Sequence, residues 1–594
     1  MSFNNKLIAV LKKDRRFVDE DGELVLAAVQ DHAWRIDHGL VKLLLADKEI
    51  KAKFFDEIEG HWVFNLNTFI EYVSQKNFLD NSYTRFRNRI GLTVGGKYLR
   101  ERGDVALVWP YKDCVLEGGQ TKEEEKRKEI FFNEVLAEDE ITRLLAPKVL
   151  TAFTRYTANG KQPVEMIKRS ENGTVRENLI LRANNLLALH SLLSLFRGLV
   201  TLIYIDPPFN TGSDSFNYND SFNHSTWLTY MKNRLTVARD YLAPDGNIFI
   251  HIDVNESHYL RILCDDIFGR ANFVEEIIWS YGSPSGGRAA GAKPVNVHDY
   301  ILHYAKDYGT RRQYKVFTPY SDKYIADWFK FKDADSRRYQ KRQRGRDDKG
   351  NAVWEKQYLD ESKGVPLTTV WTDIRQVYAD PRAYKENQAA HAELIRGFLT
   401  QKPERLMQRI LEMASQEGDI VMDFQVGSGT TAAVAHKMKR QYIGVEQLDY
   451  GKNDVVTRLQ RVIKGDKTGI SKDIKWPGGG EFVYCELMKY NEAFMERIEA
   501  AKTSKKLVKI WKEMAEGSFL NWYVNPQVPE DAVKDFEAIG KEVDGLKKQK
   551  RMLAELLDKN QLYVNLSEID DPRFKVSDED KELNKAFYGE AYNA

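Results

Sequence analysis

Residues Leu199-Val-Thr-Leu-Ile-Tyr-Ile205 form a largely apolar run that stops abruptly at Asp206-Pro207-Pro208-Phe209. A short unbroken run of this kind suits a strand buried on both faces, and prolines end it because they cannot continue a sheet ladder. Working outward, Asn247–Ile252 (NIFIHI), Tyr300–Ala305 (YILHYA), Asp419–Phe424 (DIVMDF) and Tyr442–Val445 (YIGV) repeat the pattern. Helical stretches separate these runs. Strands alternating with helices predict an α/β fold built on a parallel, doubly wound sheet.

The rest of the chain bounds what this sheet can belong to. At 594 residues it needs more than one core, and the net charge of +1 gives no global attraction to nucleic acid, so any DNA-binding surface must be local. The three cysteines, Cys114, Cys264 and Cys485, are far apart. That excludes a disulfide framework or a cysteine zinc site and fits a reducing cytoplasm. The eleven histidines show no paired metal spacing, so no metal is expected; His251 and His303 read as satisfied core or cleft residues. The N-terminus lacks a signal-peptide core. The most apolar window, Leu186–Ile205, is broken by His190 and Arg197, so it predicts a buried helix and strand rather than a membrane span. A soluble, cytoplasmic protein is expected.

Two motifs carry chemistry. Strand C-termini are where open parallel sheets place their sites, and Asp206-Pro207-Pro208-Phe209 stands at one. The exocyclic amine of adenine is a poor nucleophile because its lone pair is delocalised. An Asp206 carboxylate accepting one amino hydrogen and the Pro207 carbonyl accepting the other would draw that nitrogen towards tetrahedral geometry. Pro208 stiffens the turn, and Phe209 offers a face for a base extracted from its helix. Read alone, the tetrapeptide serves equally well as a strand-ending turn.

The second motif is Asp423-Phe424-Gln425-Val426-Gly427-Ser428-Gly429-Thr430-Thr431, between strand DIVMDF and helix TTAAVAHKMK. Gly427 and Gly429 allow a tight turn and a close approach of ligand to backbone. Ser428 and Thr430 lie where the helix N-terminus favours an anion such as a carboxylate. Glu446 ends the next strand, where nucleotide-binding sheets place an acid on ribose hydroxyls.

Asp-Pro-Pro-Phe together with a glycine-turn cofactor site resembles the amino-methyltransferases of DNA. The order, catalytic motif before cofactor motif, is similar to the beta class, and Lys402-Pro403-Glu404-Arg405-Leu406 resembles that family's helix before the cofactor strand. Longer matches narrow the resemblance to the modification (Mod) subunits of type III restriction-modification systems: Trp109–Gln120 (WPYKDCVLEGGQ), Ile203–Asp220 (IYIDPPFNTGSDSFNYND) and Asn560–Asn565 (NQLYVN). The resemblance implies a Rossmann-like methyltransferase sheet, cyclically permuted. It implies S-adenosylmethionine bound by Asp423, Phe424, Gly427, Ser428, Gly429, Thr430 and Glu446, with an adenine at Asp206, Pro207, Pro208 and Phe209. An Asp at the first catalytic position favours adenine over cytosine. Two positions depart from the family pattern: Gln425 stands where a second Phe packs beside the cofactor, and Ala183 where Gly is usual. The first implies activity with looser cofactor affinity.

The expected organisation is a helical N-terminal region (1–170), a catalytic half (171–308), an inserted target-recognition region (309–398), a cofactor half (399–478) and a helical C-terminal region (479–594). In the insertion six of the ten residues Arg337–Arg346 are basic, with Trp328, Tyr339 and Trp354 nearby. A basic run alone is often a solvated loop, but this position makes Arg337, Arg338, Lys341, Arg342, Arg344 and Arg346 candidates for DNA contact. Glu123–Glu129 reads as a solvated helix face. Gly91–Lys97 has phosphate-loop spacing but Tyr98 where magnesium needs Ser or Thr, so it reads as a turn. With no ATPase or nuclease motif here, the resemblance implies a separate restriction (Res) subunit supplying both. It also implies a homodimer on double-stranded DNA, with contacts partly in the tail, where Val533, Phe536, Val543, Leu546, Leu553 and Leu556 make an apolar stripe. Intramolecular packing of that stripe is the plainer alternative. A solitary adenine methyltransferase, or a catalytically silent DNA-binding protein, are the competing readings.

Overall fold

The computed structural model describes residues 3–73 and 144–593 apart from short breaks, the longest at 212–221, 282–293 and 378–399, with a few two- and three-residue strands between the two spans. Gly91–Lys97, Trp109–Gln120, Glu123–Glu129 and the end of Ile203–Asp220 lie almost entirely outside the described residues. The chain divides into two compact units, Met1–Trp109 and Pro110–Ala594.

The first unit is helical. Phe3–Leu11, Leu26–Trp34, His38–Leu45, Lys48–Phe54 and Leu66–Val73 surround a core of Leu7, Leu11, Phe17, Leu40, Phe54 and Phe69. Asp37 and Asp47 start two of these helices by accepting backbone N–H groups of the first turn. Two antiparallel pairs, Phe55–Ile58 with His61–Phe64 and Thr93–Val94 with Lys97–Tyr98, belong to the same unit.

The second unit is built on an eleven-stranded sheet. In chain order its strands are β1 (Leu150–Thr157), β2 (Gly160–Gln162), β3 (Leu179–Arg182), β4 (Val200–Ile205), β5 (Leu242–Ile252), β6 (Phe273–Ser280), β7 (His298–Ala305), β8 (Val370–Trp371), β9 (Ile420–Asp423), β10 (Gln441–Glu446) and β11 (Phe482–Leu487). Across the sheet they lie in the order β8-β6-β7-β5-β4-β9-β10-β3-β11-β1-β2. All six residues of β4 are buried, as its apolar run predicts. From β5 to β11 neighbouring strands are parallel. The expectation of a parallel sheet throughout needs correction at both flanks. The YILHYA strand β7 runs antiparallel to β5 and β6, and β1 runs antiparallel to β11 and β2. An apolar run reports burial, not direction, and the sheet is mixed.

Three segments expected outside the sheet belong to it. Residues 150–162, expected in the helical N-terminal region, are β1 and β2. Val370–Trp371, expected in the insertion, pairs with β6 as β8, and Phe482–Leu487, expected in the helical tail, is β11. Between β7 and β8 the insertion forms a three-stranded sheet of Phe331–Lys332, Arg338–Arg346 and Ala352–Tyr358.

The C-terminal stripe is not one helix. Glu530–Ile539 and Gly545–Leu556 are separate, and Val543 in the turn between them is 87% exposed. Phe536 and Leu553 are buried with Ile510 and Met514, and Leu546, Leu556 and Trp511 pack against them. The apolar stripe is thus largely consumed within the chain. Beyond it the NQLYVN segment returns to the sheet: Val149 N–H donates to the Val564 carbonyl at 2.9 Å, and Lys148 Nζ to Asn565 Oδ1 at 2.5 Å. Buried Asn584 brackets the Leu150 backbone, accepting its N–H at 2.8 Å and donating to its carbonyl at 2.7 Å.

Candidate active site

Connections leave β4 and its neighbour β9 in opposite directions along the sheet, β4 towards β5 and β9 towards β10. That reversal opens a crevice at the strand C-termini. One cavity there is lined by Asp206, Phe209, Lys402, Gln425, Gly427 and Glu446, among others. Pro207, Pro208, Asp423, Phe424, Ser428 and Thr430 line it too. The two motifs, distant in sequence, therefore share one site.

On the catalytic side the turn is fixed by specific bonds. Trp227 Nε1 donates to the Pro208 carbonyl at 2.8 Å, whereas among the described residues no donor reaches the Pro207 carbonyl. Asp206 Oδ1 is buried without a hydrogen-bond partner among the described residues. Its Oδ2 lies 2.6 Å from Lys402 Nζ. Asn210, in the left-handed region at φ 57, accepts from Phe222 N–H at 2.6 Å and donates to buried Glu256 at 2.6 Å.

Phe209 is backed by a buried relay. Its ring lies nearly parallel to His251, centroids 5.7 Å apart at 22°. His251 Nε2 is 3.0 Å from Asp299 Oδ2, and its Nδ1 is 2.9 Å from Tyr204 Oη. The carboxylate places the ring hydrogen on Nε2, leaving Nδ1 to accept from the Tyr204 hydroxyl. Burial, reinforced by Asp206 and other nearby carboxylates, holds Tyr204 well above the usual phenol range and so keeps that proton in place. His251 is a satisfied histidine, as expected, and it also forms the wall behind Phe209. His303 bonds Asn247 at 2.8 Å, and burial lowers it to about 3, which keeps it neutral.

On the cofactor side nearly every polar group has a partner. Gly427 N–H donates to Glu446 Oε2 at 2.8 Å and Leu448 N–H to Oε1 at 2.9 Å. Thr431 Oγ1 donates to Asp423 Oδ2 at 2.6 Å, and Gln425 N–H to Oδ1 at 2.9 Å. Despite these bonds, burial pushes Asp423 up to about 7 and raises Glu446. Gly429 has φ 80, and a Cβ there would meet Val455 Cγ2 at 2.7 Å, so the turn needs glycine for both conformation and space. Gln425 is tethered: its Nε2 donates to Tyr230 Oη at 3.0 Å, and the Arg234 guanidinium lies 3.6 Å from the Tyr230 ring centre. Arg234 Nε in turn donates to Asn185 Oδ1 at 2.7 Å, and Asn185 Nδ2 to the Phe424 carbonyl at 3.1 Å.

Glu404 clamps the cofactor helix to the helix that follows Lys402. Its buried carboxylate accepts from Lys437 Nζ at 2.8 and 3.0 Å, Arg458 Nη2 at 3.0 Å and Ile470 N–H at 3.1 Å. Arg458 Nη1 also donates to Thr430 Oγ1 at 2.8 Å, and that hydroxyl donates to the Lys402 carbonyl at 3.0 Å.

The residues fit a cofactor rich in donors. Two buried oxygens without partners among the described residues, Gln425 Oε1 and Gln447 Oε1, belong to residues lining the glycine-turn side of this cavity. S-adenosylmethionine carries an ammonium, two ribose hydroxyls and an adenine amine, which are the donors such acceptors lack. Sequence reasoning gave no site role to Lys402, Tyr204 or Tyr230 and read His251 as a satisfied core or cleft residue; of the four, only Tyr230 lay outside the stretches already singled out.

The basic run of the insertion is elsewhere, on the hairpin Arg338–Arg346/Ala352–Tyr358. Arg337 pairs with Asp360 and Glu361, Arg344 with Glu355, and Arg338 donates to the carbonyls of Phe329 and Ile325. Lys341, Arg342 and Arg346 are exposed and make no ion pair among the described residues, and Trp354 beside them is 59% exposed. None of these lines the cavity.

Comparison with known proteins gives the family. A DNA methylase family model matches residues 200–454, and one for the methylation subunit of type III restriction/modification enzymes matches residues 37–92. The probable type III restriction-modification enzyme HindVI Mod subunit of Haemophilus influenzae is 34% identical over 98% of both chains. The EcoP15I Mod subunit of Escherichia coli is 33% identical over 23% of this chain and 26% of its own. The StyLTI Mod subunit of Salmonella typhimurium is 27% identical over 47% of this chain and 54% of its own. Full-length similarity and a two-motif crevice converge, and the chain belongs to the Mod subunits of type III restriction-modification systems, which are S-adenosylmethionine-dependent DNA methyltransferases.

Proposed function

We propose that the methylated atom is the N6 amine of an adenine rotated out of duplex DNA, received by Asp206, Pro207, Pro208 and Phe209. The observation that carries this reading is the pair of acceptors at the end of β4, Asp206 Oδ1 and the Pro207 carbonyl, to which no donor among the described residues is bonded. An amine has two hydrogens to give, and donating both would free its lone pair from the ring. Phe209, held by His251, supplies a flat face for the base. S-adenosylmethionine, when bound, supplies an electrophilic methyl group; the glycine turn, Asp423, Phe424, Ser428, Thr430 and Glu446 would hold it. Sequencing of methylated adenine in DNA from cells expressing the wild-type chain and Asp206→Ala tests the assignment. Adenine methylation that persists in the variant would overturn it.

Target recognition falls to the hairpin. Lys341, Arg342 and Arg346 carry charge that no carboxylate among the described residues neutralises, so they are the residues for phosphate contact, while Arg337, Arg338 and Arg344 are engaged within the chain. Replacing Arg342 and Arg346 by Ala should reduce the salt dependence of DNA binding by about two phosphate contacts, read as log Kd against log salt. An unchanged slope would place the contacts elsewhere. The subunit works with a separate Res partner, as its family implies, and as a homodimer. Light scattering of the full chain at micromolar concentration checks the dimer, and a monomer that methylates its site would refute it.

A further inference from the structure

A buried carboxylate is costly unless a partner compensates it. Asp206 has one before any substrate arrives. The Lys402 ammonium lies 2.6 Å from its Oδ2, and the lysine and aspartate side chains are only 11% and 22% exposed. The same ammonium is 5.0 Å from the centre of the Phe209 ring. Lys402 thus already gives an N–H to the Asp206 carboxylate, at the oxygen beside the one left for the target amine, and it stands over the ring of Phe209. A base cannot stack on that face while the lysine keeps it. The lysine is also built to leave. Its backbone is anchored through the carbonyl that accepts from Thr430, while its charge rides on a flexible four-carbon stem.

We infer that Lys402 is a placeholder for the flipped adenine: it occupies Asp206 and the Phe209 face in the DNA-free enzyme and is displaced when the base enters. The inference rests on the assignment of Asp206–Phe209 as the base-receiving element. Lys402 keeps the carboxylate compensated while no base is bound. Because Thr430 opens the cofactor helix and bonds the Lys402 carbonyl, the placeholder is also tied to the turn that holds the methyl donor.

The test uses the full chain and a duplex with 2-aminopurine at the methylated position, that position having been found by methyl-adenine sequencing. Its fluorescence rises when the base leaves the stack. Lys402→Met keeps the length and removes the charge, so without cofactor it should raise the fluorescence plateau of the saturated complex by about threefold or more. Lys402→Arg, which keeps a cation on Asp206, should stay within about twofold of wild type. A damaged fold lowers this signal, so a gain is not a product of misfolding. A Lys402→Met plateau equal to wild type on bound DNA overturns the placeholder. So does an unchanged plateau with turnover reduced more than about a hundredfold, which would put Lys402 in the chemistry instead. Either result leaves the Asp206 assignment standing. That assignment fails on its own if Asp206→Ala still methylates adenine.

Discussion

The ends of β4 and of β9–β10 face each other across one crevice and are finished in opposite ways. At β9–β10 both acids are saturated: Asp423 takes Thr431 and Gln425 N–H, and Glu446 takes Gly427 and Leu448 N–H. At β4, Asp206 keeps one oxygen unbonded, and the adjoining Pro207 carbonyl has no donor among the described residues. Saturated groups define a shape, whereas groups left short of a partner define where a ligand atom must go. The saturated acids make the first side a mould, with the Gln425 and Gln447 side-chain oxygens left for a ligand's donors, and the second is a socket.

The sharpest way to break this contrast is at the socket. Asp206→Ala should lower turnover by about three orders of magnitude while S-adenosylmethionine affinity, measured by calorimetry, stays within a few-fold. A comparable fall in cofactor affinity would make Asp206 part of the mould. Next in size comes the mould itself. Gly429→Val combines a left-handed backbone with a clash on Val455, and should weaken S-adenosylmethionine binding by about a hundredfold with a lowered Tm. Normal calorimetric affinity in that variant would mean that the donor sits elsewhere.

Titration gives a finer cut. Unfolded, Asp423 ionises in the ordinary carboxylate range, but burial holds the folded group at about 7. Between about pH 4 and pH 7 the unfolded chain has therefore released a proton that the folded chain retains, so stability falls as pH rises through that window and levels off above it. Asp423→Asn should flatten part of this fall in thermal melts across the window. Parallel curves for the two proteins would show that Asp423 is ionised throughout. The smallest effect is expected at Gln425→Phe, which restores the ring the family places beside the cofactor but strips Tyr230 Oη of its amide donor. The two changes oppose each other, so binding should tighten only a few-fold. Weaker binding would assign the amide a contact with the donor molecule.

Much of the mould could be read from sequence. The buried strands, the glycine turn and the acid at the end of β10 are local patterns, and each signals itself through apolar runs or φ > 0 requirements. What escaped was non-local or directional. Lys402 and Asp206 meet across 196 residues of chain, and His251 gains its role from Asp299 and Tyr204 on other strands and from Phe209 in the turn after β4. The reversed direction of β7 leaves no trace in YILHYA, because burial is the same either way. The tail misled for a related reason. A stripe drawn through Val533–Leu556 spans a turn that periodicity does not see, and its buried members face Ile510 and Met514. Deletion after Pro529 would therefore uncover that cluster and remove the Asn584 bracket on Leu150, so it does not isolate association from folding.

The place of β9 beside β4 also sets a timetable. The ribosome releases β4 and β5 long before Ile420–Asp423 exists, yet β9 is the strand that closes one side of β4. Until then the hydrogen-bonding edge of Val200–Ile205, entirely buried in the finished sheet, is open to any strand that passes. Nascent chains of this topology are exposed to mispairing in proportion to the delay, which makes the interval between β4 and β9 the stretch of synthesis most dependent on slow growth or a chaperone.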